Sequence, residues 1–211
     1  MDKNKETLST WNNLASTYEE KFMNLDIYND TYDTICSSDT KQHANILEIG
    51  CGPGNITKYL LNKRPDFNIL GIDAAPNMIE IAKRNNPNAD FLHFDARNIH
   101  LLTDKYDFIV CGFCLPYLSD NERVKLINNL SNLLVDHGKI YLSFVDGKSE
   151  NSTYKESSFG RVFFQYHELD QVLHNLEEFK FTDFSIERVK YAKGENEFEE
   201  HTIIIAKKNA V

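Results

Sequence analysis

The sequence contains no long hydrophobic run and is short of basic residues. No stretch of its 211 residues approaches the ~18 consecutive apolar residues that span a bilayer, so we predict no membrane association. Residues 1–6 lack the apolar segment of a secretory signal. Lys and Arg number 23 against 32 Asp and Glu, which gives a net charge of -9. Because nucleic-acid binding depends on clustered basic residues that displace counterions, we expect no nucleic-acid partner.

Cysteine is also scarce and shows no disulfide framework. The four cysteines are Cys36, Cys51, Cys111 and Cys114. Without the paired spacings of a small secreted domain, they are interpreted as reduced thiols of a cytoplasmic protein. Cys111 and Cys114 have the spacing of a redox dithiol or of half a zinc site, but the sequence contains no second pair and no His-x3-His segment. We therefore predict no metal site.

The most informative segment is an apolar run that ends in three glycines spaced two apart. The run 46–49 is followed by Gly50, Gly52 and Gly54. Such a run is typical of a buried strand, and the glycines allow a tight turn and the close approach of a ligand to the backbone. If a helix follows, its free N–H groups and its positive dipole end face the same ligand. The segment predicts a site for a nucleotide-type cofactor.

Apolar runs of strand length alternate with helical patterns over the middle of the chain. Strands are expected at 46–49, 67–72, 91–94, 106–110 and 139–145, and helices at 56–62, 78–84 and 121–134. This alternation favours right-handed crossovers and a parallel sheet covered on both faces. We therefore predict a doubly wound α/β fold in a single domain over 1–211. It would comprise a helical cap in 1–40, a cofactor-binding core in 45–145, and an acceptor-side insertion with a C-terminal hairpin in 146–211.

The flanking segments have patterns of their own. Apolar residues three and four apart predict a helix at 7–22, and a second helix is expected at 28–35. After the core, a helix is expected at 167–179. It is followed by two strands, at 184–191 and 201–206, which are joined by a charged, glycine-containing turn at 193–197.

Polar residues follow several of the predicted strands, where open parallel sheets bind ligands. Asp73 comes about twenty residues after the glycines, where a carboxylate can accept hydrogen bonds from two ribose hydroxyls, but it also suits a helix start before Pro76. Asp95 and Ala96 could contact an adenine edge through a carboxylate and an N–H, although Asp95 equally suits a turn. Met78 could contact the base or pack in the core.

These segments resemble the class I S-adenosylmethionine-dependent methyltransferases. Residues 48–54, Glu-x-Gly-x-Gly-x-Gly, are similar to the family's first motif, and 71–73 with Met78 to its second. Residues 94–96 and 106–110 are similar to the third and fourth motifs, and 135–140 resemble the glycine turn into the fifth strand. The resemblance covers about 11–145 and, through the final hairpin, much of the remainder.

The resemblance implies a mostly parallel seven-stranded sheet whose last strand is antiparallel. It also implies methyl transfer from S-adenosylmethionine to a small-molecule acceptor by in-line displacement, with S-adenosylhomocysteine as product. One alternative is a non-catalytic cofactor-binding or interaction protein of this fold. Another is a nicotinamide-dependent reductase, which is disfavoured because Asn55 stands where dinucleotide-binding sites have their third glycine.

When the family's motif residues are transferred to the matching positions of this sequence, the resemblance also implies a cofactor site. The glycines would lie beneath the methionine and ribose, Glu48 would brace their loop, and the backbone near Cys111 would meet the methionine amino group. Tyr18, in a Trp-x3-Ala-x2-Tyr helix that begins at Trp11, would reach the methionine carboxylate or simply pack. The implied cofactor-binding residues are Tyr18, Glu48, Gly50, Cys51, Gly52, Gly54, Asp73, Ala74, Met78, Asp95, Ala96 and Cys111.

The acceptor site carries no motif, so its residues are candidates only. Tyr117 is the first candidate for a general base, although a phenol with a pKa near 10 is a poor base and a pocket wall is the alternative. His93 and His167 are weaker candidates. Arg161 could pair with a carboxylate of the acceptor, and further residues that could line the pocket are Tyr28, Tyr32, Tyr154 and Phe163.

Overall fold

The computed structural model describes residues 3–37, 39–194 and 196–210. Its helices are α1 (Lys3–Phe22), α2 (Asn29–Asp33), α3 (Asn55–Lys63), α4 (Pro76–Asn85), α5 (Asp120–Leu133) and α6 (Leu169–Glu178). Its strands are β1 (Asn45–Ile49), β2 (Asn68–Asp73), β3 (Asp90–His93), β4 (Tyr106–Gly112), β5 (Leu134–Val145), β6 (Thr153–Ser157), β7 (Gly160–Phe164), β8 (Phe181–Gly194) and β9 (Glu197–Lys208). Short 3-10 helices lie at Ala96–Leu101, Leu115–Tyr117 and Ser149–Asn151.

Seven of these strands form one sheet in the order β3-β2-β1-β4-β5-β9-β8. Strands β1 to β5 are parallel to one another, whereas β9 is antiparallel to both β5 and β8. The prediction of a doubly wound α/β fold with seven strands and an antiparallel last strand is therefore confirmed. The strand order reverses between β1 and β4, which places a ligand-binding crevice outside their carboxyl ends.

Alternate residues of the central strands pack into two cores, one on each face of the sheet. Leu47 packs in one cluster with Leu126 of α5 and Leu176 of α6. Its neighbour Ile46 packs in the other cluster with Leu60 of α3. Because helices cover both faces of the sheet, its strands appear in the sequence as short apolar runs in which apolar and polar residues hardly alternate. This pattern is why the strands of the core could be placed from the sequence.

Helix α1 packs against α4 and against β7. It carries six charged side chains in twenty residues, and all of them lie near its two ends: Lys3, Lys5, Glu6, Glu19, Glu20 and Lys21. None of the helices in the described ranges is both long enough and apolar enough to cross a lipid bilayer.

The sequence did not predict the small two-stranded sheet formed by β6 and β7. These strands pair with each other and leave most of their residues at least partly exposed, so the short apolar run 162–164 was not enough to predict a hairpin. Gly160, with a φ of 130°, begins β7 directly after the turn. Several strands are longer than predicted: β5, for example, begins at Leu134, and β8 extends from Phe181 to Gly194. Glu195 of the predicted turn lies outside the described residues.

Candidate active site

The glycine loop between β1 and α3 folds back onto β2. The N–H groups of Gly50 and Cys51 both donate to the carbonyl of Ile72, at 2.8 and 3.0 Å. All three glycines of the motif have positive φ, and Gly54, at 81°, is the residue before α3. A Cβ on Gly54 would lie 2.3 Å from the side-chain nitrogen of Asn86. The loop therefore needs glycine for its backbone conformation and, at Gly54, for space.

Asp73, the last residue of β2, is tied to this loop. Its carboxylate accepts a hydrogen bond from the N–H of Gly52 at 2.9 Å and one from the N–H of Ala75 at 2.8 Å. Burial raises the pKa of Asp73, while the two N–H groups oppose that rise. A carboxylate has about four acceptor sites, so two remain available to a ligand. Asp73 thus supports the start of α4 and can still bind a ligand.

Glu48 lies beneath the loop and is 1% exposed. Its carboxylate accepts a hydrogen bond from the hydroxyl of Thr57, which links β1 to α3. Burial is the main cause that raises the pKa of Glu48, to about 8, and the hydrogen bonds of Thr57 oppose it. Glu48 therefore links the strand before the glycine loop to the helix that follows it.

A cleft follows the carboxyl ends of the strands beneath α1, and its first half, here named the α4 part, lies beside α4. This part collects most of the predicted cofactor residues. They are Tyr18, Gly50, Gly52, Asp73, Ala74, Met78, Asp95 and Ala96, together with Trp11, Phe94 and Arg97.

Asp95 also has a local role within the α4 part. Its carboxylate accepts from the N–H of Arg97 at 2.9 Å and forms an ion pair with the Arg97 guanidinium at 3.1 Å. Arg97 in turn pairs with Glu122 at 2.7 Å. The Asp95 side chain is still 31% exposed, so the turn role and a ligand contact are compatible.

The second half of the cleft, here named the aromatic part, continues past the glycine loop. Its polar lining residues are Glu48, Asn55, Glu199 and His201, beside the loop residues Gly50, Cys51 and Gly52. Among the described residues, no Lys or Arg lines this part. Its aromatic rings are those of Trp11, Tyr18, Phe22, Tyr28, Tyr32, Phe113, Tyr117, Phe164 and Tyr191.

Strands β8 and β9 contribute three cleft residues that sequence reasoning missed. His201 Nδ1 lies 2.6 Å from the Tyr28 hydroxyl, and His201 Nε2 lies 3.2 Å from Glu199 Oε2. The ring of Tyr191 stacks on His201 with centroids 5.1 Å apart and an interplanar angle of 13°. Because β9 is antiparallel to β5, its amino end lies beside the carboxyl end of β5, with His201 opposite Val145. The signal was therefore the expected direction of the last strand, which places its first residues at the cleft.

With this geometry established, the chain can be compared with known proteins. Residues 46–138, which contain the glycine loop, Asp73 and Asp95, match a sequence family described as the methyltransferase domain. The chain belongs to the class I S-adenosylmethionine-dependent methyltransferases. The family assignment agrees with the strand order and with the motifs that line the cleft.

One relative of this class I methyltransferase is a malonyl-[acyl-carrier protein] O-methyltransferase from Acetivibrio thermocellus. It is 33% identical over 143 residues, which are 67% of this chain and 46% of the relative. The chain spans less than half of the length of that relative. A further enzyme of the same name from Bacillus anthracis is 28% identical and is covered over 68% of its length.

Solved structures of other methyltransferases have the same fold. An S-adenosylmethionine-dependent methyltransferase from Clostridium acetobutylicum has a TM-score of 0.70 at 16% identity, with 95% of this chain and 99% of that chain covered. The N-methyltransferase NodS from Bradyrhizobium japonicum, in complex with S-adenosylhomocysteine, has a TM-score of 0.66 at 18% identity, with 96% and 100% covered. At these identities the comparison shows the fold alone.

Two predicted cofactor residues of the methyltransferase do not line the cleft. Gly54 sits behind the loop at the start of α3. The side chain of Cys111 is fully buried in the core, and the next residue, Gly112, presents its backbone to both parts of the cleft. Gly112 is therefore the residue near Cys111 whose backbone a ligand in the cleft could contact. No group of three or more His, Cys, Asp and Glu side chains in the described ranges could hold a metal ion.

Tyr117 lies in the wall between the two parts of the methyltransferase cleft. Its ring contacts Trp11 edge-on, with centroids 5.4 Å apart, and also contacts Phe164. Burial raises the pKa of Tyr117 well above its ordinary value, so the phenol holds its proton more tightly. Among the described residues, no imidazole or carboxylate contacts the Tyr117 hydroxyl to take its proton, so this environment favours the wall over the predicted general base.

Of the other candidates for the acceptor site, some line the cleft and others lie outside it. Tyr28 lines the aromatic part, as predicted. Arg161 lies outside the cleft and pairs with Glu6 of α1 at 2.6 Å, so the structure assigns it to the contact between β7 and α1 in place of the predicted acceptor carboxylate. The ring of His167 is buried beside Arg123, and its Nε2 lies 2.9 Å from the carbonyl of Leu115.

Burial is the main cause that lowers the pKa of His167, consistent with a structural role. The Nε2 of His93 lies 2.9 Å from the carbonyl of Ala74, on the exposed side of β3. Neither histidine is among the residues that line the two parts of the cleft.

Proposed function

We propose that this protein transfers a methyl group from S-adenosylmethionine to a small-molecule acceptor. The observation that carries the proposal is the contact between Gly52 and Asp73, which joins the glycine loop to a buried carboxylate where the strand order reverses. Both residues line the cleft together with Met78 and Asp95. Such a crevice is where open α/β sheets bind nucleotide-type ligands.

The α4 part of the cleft suits the adenosine of this cofactor. We assign the two ribose hydroxyls to the remaining acceptor sites of Asp73. The Asp95 carboxylate and the Ala96 backbone are assigned to the adenine edge, and the Met78 thioether to its face. The product, S-adenosylhomocysteine, would occupy the same contacts.

The methionine moiety is assigned to the junction between the two parts. Gly50, Gly52, Gly112 and Tyr18 line both parts there. The indole Nε1 of Trp11, which also borders both parts, is buried and has no hydrogen-bond partner in the structure. Buried donors are normally paired, so an unpaired indole N–H beside the cleft fits a ligand with polar groups.

When bound, the cofactor supplies an activated methyl group on a sulfonium, so the protein must mainly align the acceptor and exclude water. In-line displacement requires the reacting atoms to be held about 3 Å apart, and alignment of this kind lowers the barrier without a metal ion. Trp11 and Tyr18, on α1, cover the cleft from above, and Tyr117 closes its side. Their packed rings leave little space for bulk water around the reacting atoms.

Calorimetry with S-adenosylmethionine, S-adenosylhomocysteine and NADH tests this proposal, followed by turnover measurements against a panel of metabolites. We expect the first two compounds to bind and NADH not to bind. Preferential binding of NADH would support the reductase alternative. Cofactor binding without turnover of any acceptor would support the non-catalytic alternative.

We also propose a cytoplasmic location and a single domain with the division described from the sequence. The location is supported by four free cysteines, including the buried thiols of Cys51 and Cys111, which suit a reducing compartment. The absence of a nucleic-acid partner remains a prediction from the net charge.

A further inference from the structure

Three polar side chains form a hydrogen-bonded chain at the aromatic part of the cleft. The Tyr28 hydroxyl, His201 and Glu199 are joined by contacts of 2.6 and 3.2 Å, and all three residues line the cleft. Tyr28 and His201 are 7% and 6% exposed, respectively. A buried imidazole held between a phenol and a carboxylate has the same order of groups as a proton relay.

The charges at the two ends determine where the protons lie. The hydrogen bond from His201 is the largest of the causes that hold the pKa of Glu199 down, at about 2, and Lys155 and Lys193 add to it. Glu199 is therefore a carboxylate that can only accept, so the neutral imidazole carries its proton on Nε2. Burial raises the pKa of Tyr28. Tyr28 thus keeps its proton and donates it to Nδ1, which leaves its oxygen lone pairs free to accept from a ligand.

Charge also limits which acceptors the aromatic part can hold. Within the described residues its lining has the Glu199 carboxylate, the Glu48 carboxyl, whose pKa burial raises to about 8, and no Lys or Arg. Lys155 and Lys193 contact Glu199, at 3.6 and 3.4 Å, but neither lines the cleft. Lys155 lies against the ring of Phe164, 3.3 Å from its centroid, so an anionic acceptor would lose its hydration beside the Glu199 carboxylate without a direct contact to a counter-charge. A cation would be stabilised by the aromatic faces.

We propose that the methyl acceptor is a primary or secondary amine and that Tyr28 takes up the proton that the amine must lose. This inference rests on the proposed methyl transfer. Tyr28 is the catalytic residue of the chain, while His201 and Glu199 are positioning residues that receive and stabilise the proton. Malonyl-type carboxylates, the acceptors named for the relatives above, do not fit this lining.

The step balances in protons and electrons. The acceptor ammonium gives a proton to the Tyr28 oxygen as Tyr28 passes its own proton to His201 Nδ1, which forms an imidazolium paired with Glu199. The freed lone pair of the amine forms the N–C bond as the C–S bond breaks, and the bonding electrons remain on sulfur. The products are an N-methylammonium and a thioether, and His201 then returns its proton to solvent.

The surroundings of His201 bear on any measurement of pH dependence. Tyr28 faces it from the segment before α2, Tyr191 from β8 and Glu199 from its own strand. From the end of β4, the uncharged ring of Phe113 meets it edge-on. Lys155 of β6 and Lys193 of β8 contact Glu199, and Lys21 of α1 lies over the ring of Tyr191, 5.8 Å from its centroid.

The first test uses matched amines, alcohols and carboxylic acids with aliphatic, benzyl and indolylethyl frameworks. Release of S-adenosylhomocysteine is measured at saturating S-adenosylmethionine. We expect turnover of at least one amine, at a rate at least 100-fold above that of the matching carboxylic acid. Turnover of acids or alcohols in preference to amines, or of no amine at all, would overturn the proposal.

The second test uses Tyr28→Phe, His201→Gln and Glu199→Gln, with Tyr59→Phe and Glu200→Gln as controls. Tyr59 hydrogen-bonds Asp33 outside the cleft, and Glu200 pairs with Arg188 on exposed surface. General acid-base groups contribute roughly 10²–10⁴-fold. We expect kcat for the amine to fall at least 100-fold in Tyr28→Phe and His201→Gln, and about tenfold in Glu199→Gln. Both controls should retain the wild-type kcat.

Two readouts separate this role from a structural one. The dissociation constant of S-adenosylmethionine should change less than threefold in every variant. The kcat profile of the wild type should contain a pH-dependent limb that disappears in His201→Gln. Unchanged kcat and pH profile in folded variants would overturn the relay but leave the proposed methyl transfer intact. Failure of the wild type to bind S-adenosylmethionine would instead overturn the proposed function itself.

Discussion

At the scale of single residues, Asp73 is held in place before any ligand reaches it. Two backbone N–H groups orient its carboxylate, so little conformational freedom would be lost if it bound a ribose, as we propose. Its place after a strand, about twenty residues beyond the glycines, allowed its role to be inferred from the sequence. The structure adds that the same carboxylate secures Gly52 of the loop.

We predict that Asp73→Ala weakens S-adenosylmethionine binding by about 2 kcal/mol or more, roughly 30-fold, because two charge-assisted hydrogen bonds are lost. Isothermal titration calorimetry measures the change. Asp90→Ala, at the opposite end of the neighbouring strand, is the matched control. Wild-type affinity in a folded Asp73→Ala protein would contradict the assignment.

The buried carboxyl group of Glu48 should make the stability of the folded protein depend on pH. Its pKa is raised from an ordinary value of 4.5 to about 8, so the folded protein binds more protons than the unfolded chain between these values. Its contribution to stability is therefore complete below about pH 4.5 and is lost as the pH rises towards 8. Glu48→Gln keeps an acceptor for the Thr57 hydroxyl and removes the titration.

We expect Glu48→Gln to gain stability relative to the wild type between pH 5 and pH 8, by on the order of 3 kcal/mol. Urea unfolding at the two pH values measures the difference. Asp73, whose pKa is also raised, is present in both proteins and cancels in the comparison. An equal pH dependence in both proteins would show that Glu48 does not titrate in this range, and Glu200→Gln serves as the exposed control.

At the scale of elements, α3 depends on the glycine that precedes it. Gly54 has a left-handed conformation, and Asn86 donates to its carbonyl at 3.0 Å. Gly54→Ala adds backbone strain and a clash with the Asn86 side chain, so we predict a loss of about 2–3 kcal/mol in the free energy of unfolding. Chemical denaturation measures it. Gly194→Ala is the control, because a Cβ there meets no atom within 4 Å, and an equal loss in both variants would refute the explanation.

The position of the hairpin formed by β6 and β7 depends on its contacts with α1. The hydroxyl of Thr10 donates to the carbonyl of Arg161 at 3.0 Å, and the N–H of Phe163 donates to the hydroxyl of Thr7 at 3.0 Å. These bonds, with the ion pair between Arg161 and Glu6, hold the hairpin on α1. The hairpin thereby steadies the helix that covers the cleft.

At the scale of the whole molecule, the cleft is formed by α1, the glycine loop and the ends of several strands. A ligand that binds it therefore stabilises the folded chain as a whole. At a concentration 100-fold above its dissociation constant, S-adenosylmethionine should add about 2.7 kcal/mol to the free energy of unfolding. For a chain of this size we predict a rise in Tm of about 5–10 °C. Differential scanning calorimetry checks this, and an equal shift with NADH at the same concentration would contradict the cofactor assignment.

The core strands of the sheet and most residues of the α4 part of the cleft could be predicted from the sequence. Both are local in sequence: buried parallel strands appear as apolar runs, and Asp73 and Asp95 directly follow such runs. The glycine motif likewise marks a backbone that other residues cannot adopt without strain. These features could be read from neighbouring residues because their causes lie within a few positions along the chain.

The contacts in the aromatic part of the cleft could not be predicted from the sequence. Tyr28 and His201 are 173 positions apart, and their contact arises because the antiparallel direction of β9 brings its amino end to the cleft. Arg161 was misplaced for the same reason, since its partner Glu6 lies on a helix 155 positions away. Contacts between polar side chains this far apart depend on how strands pair and helices dock, and no local periodicity records either.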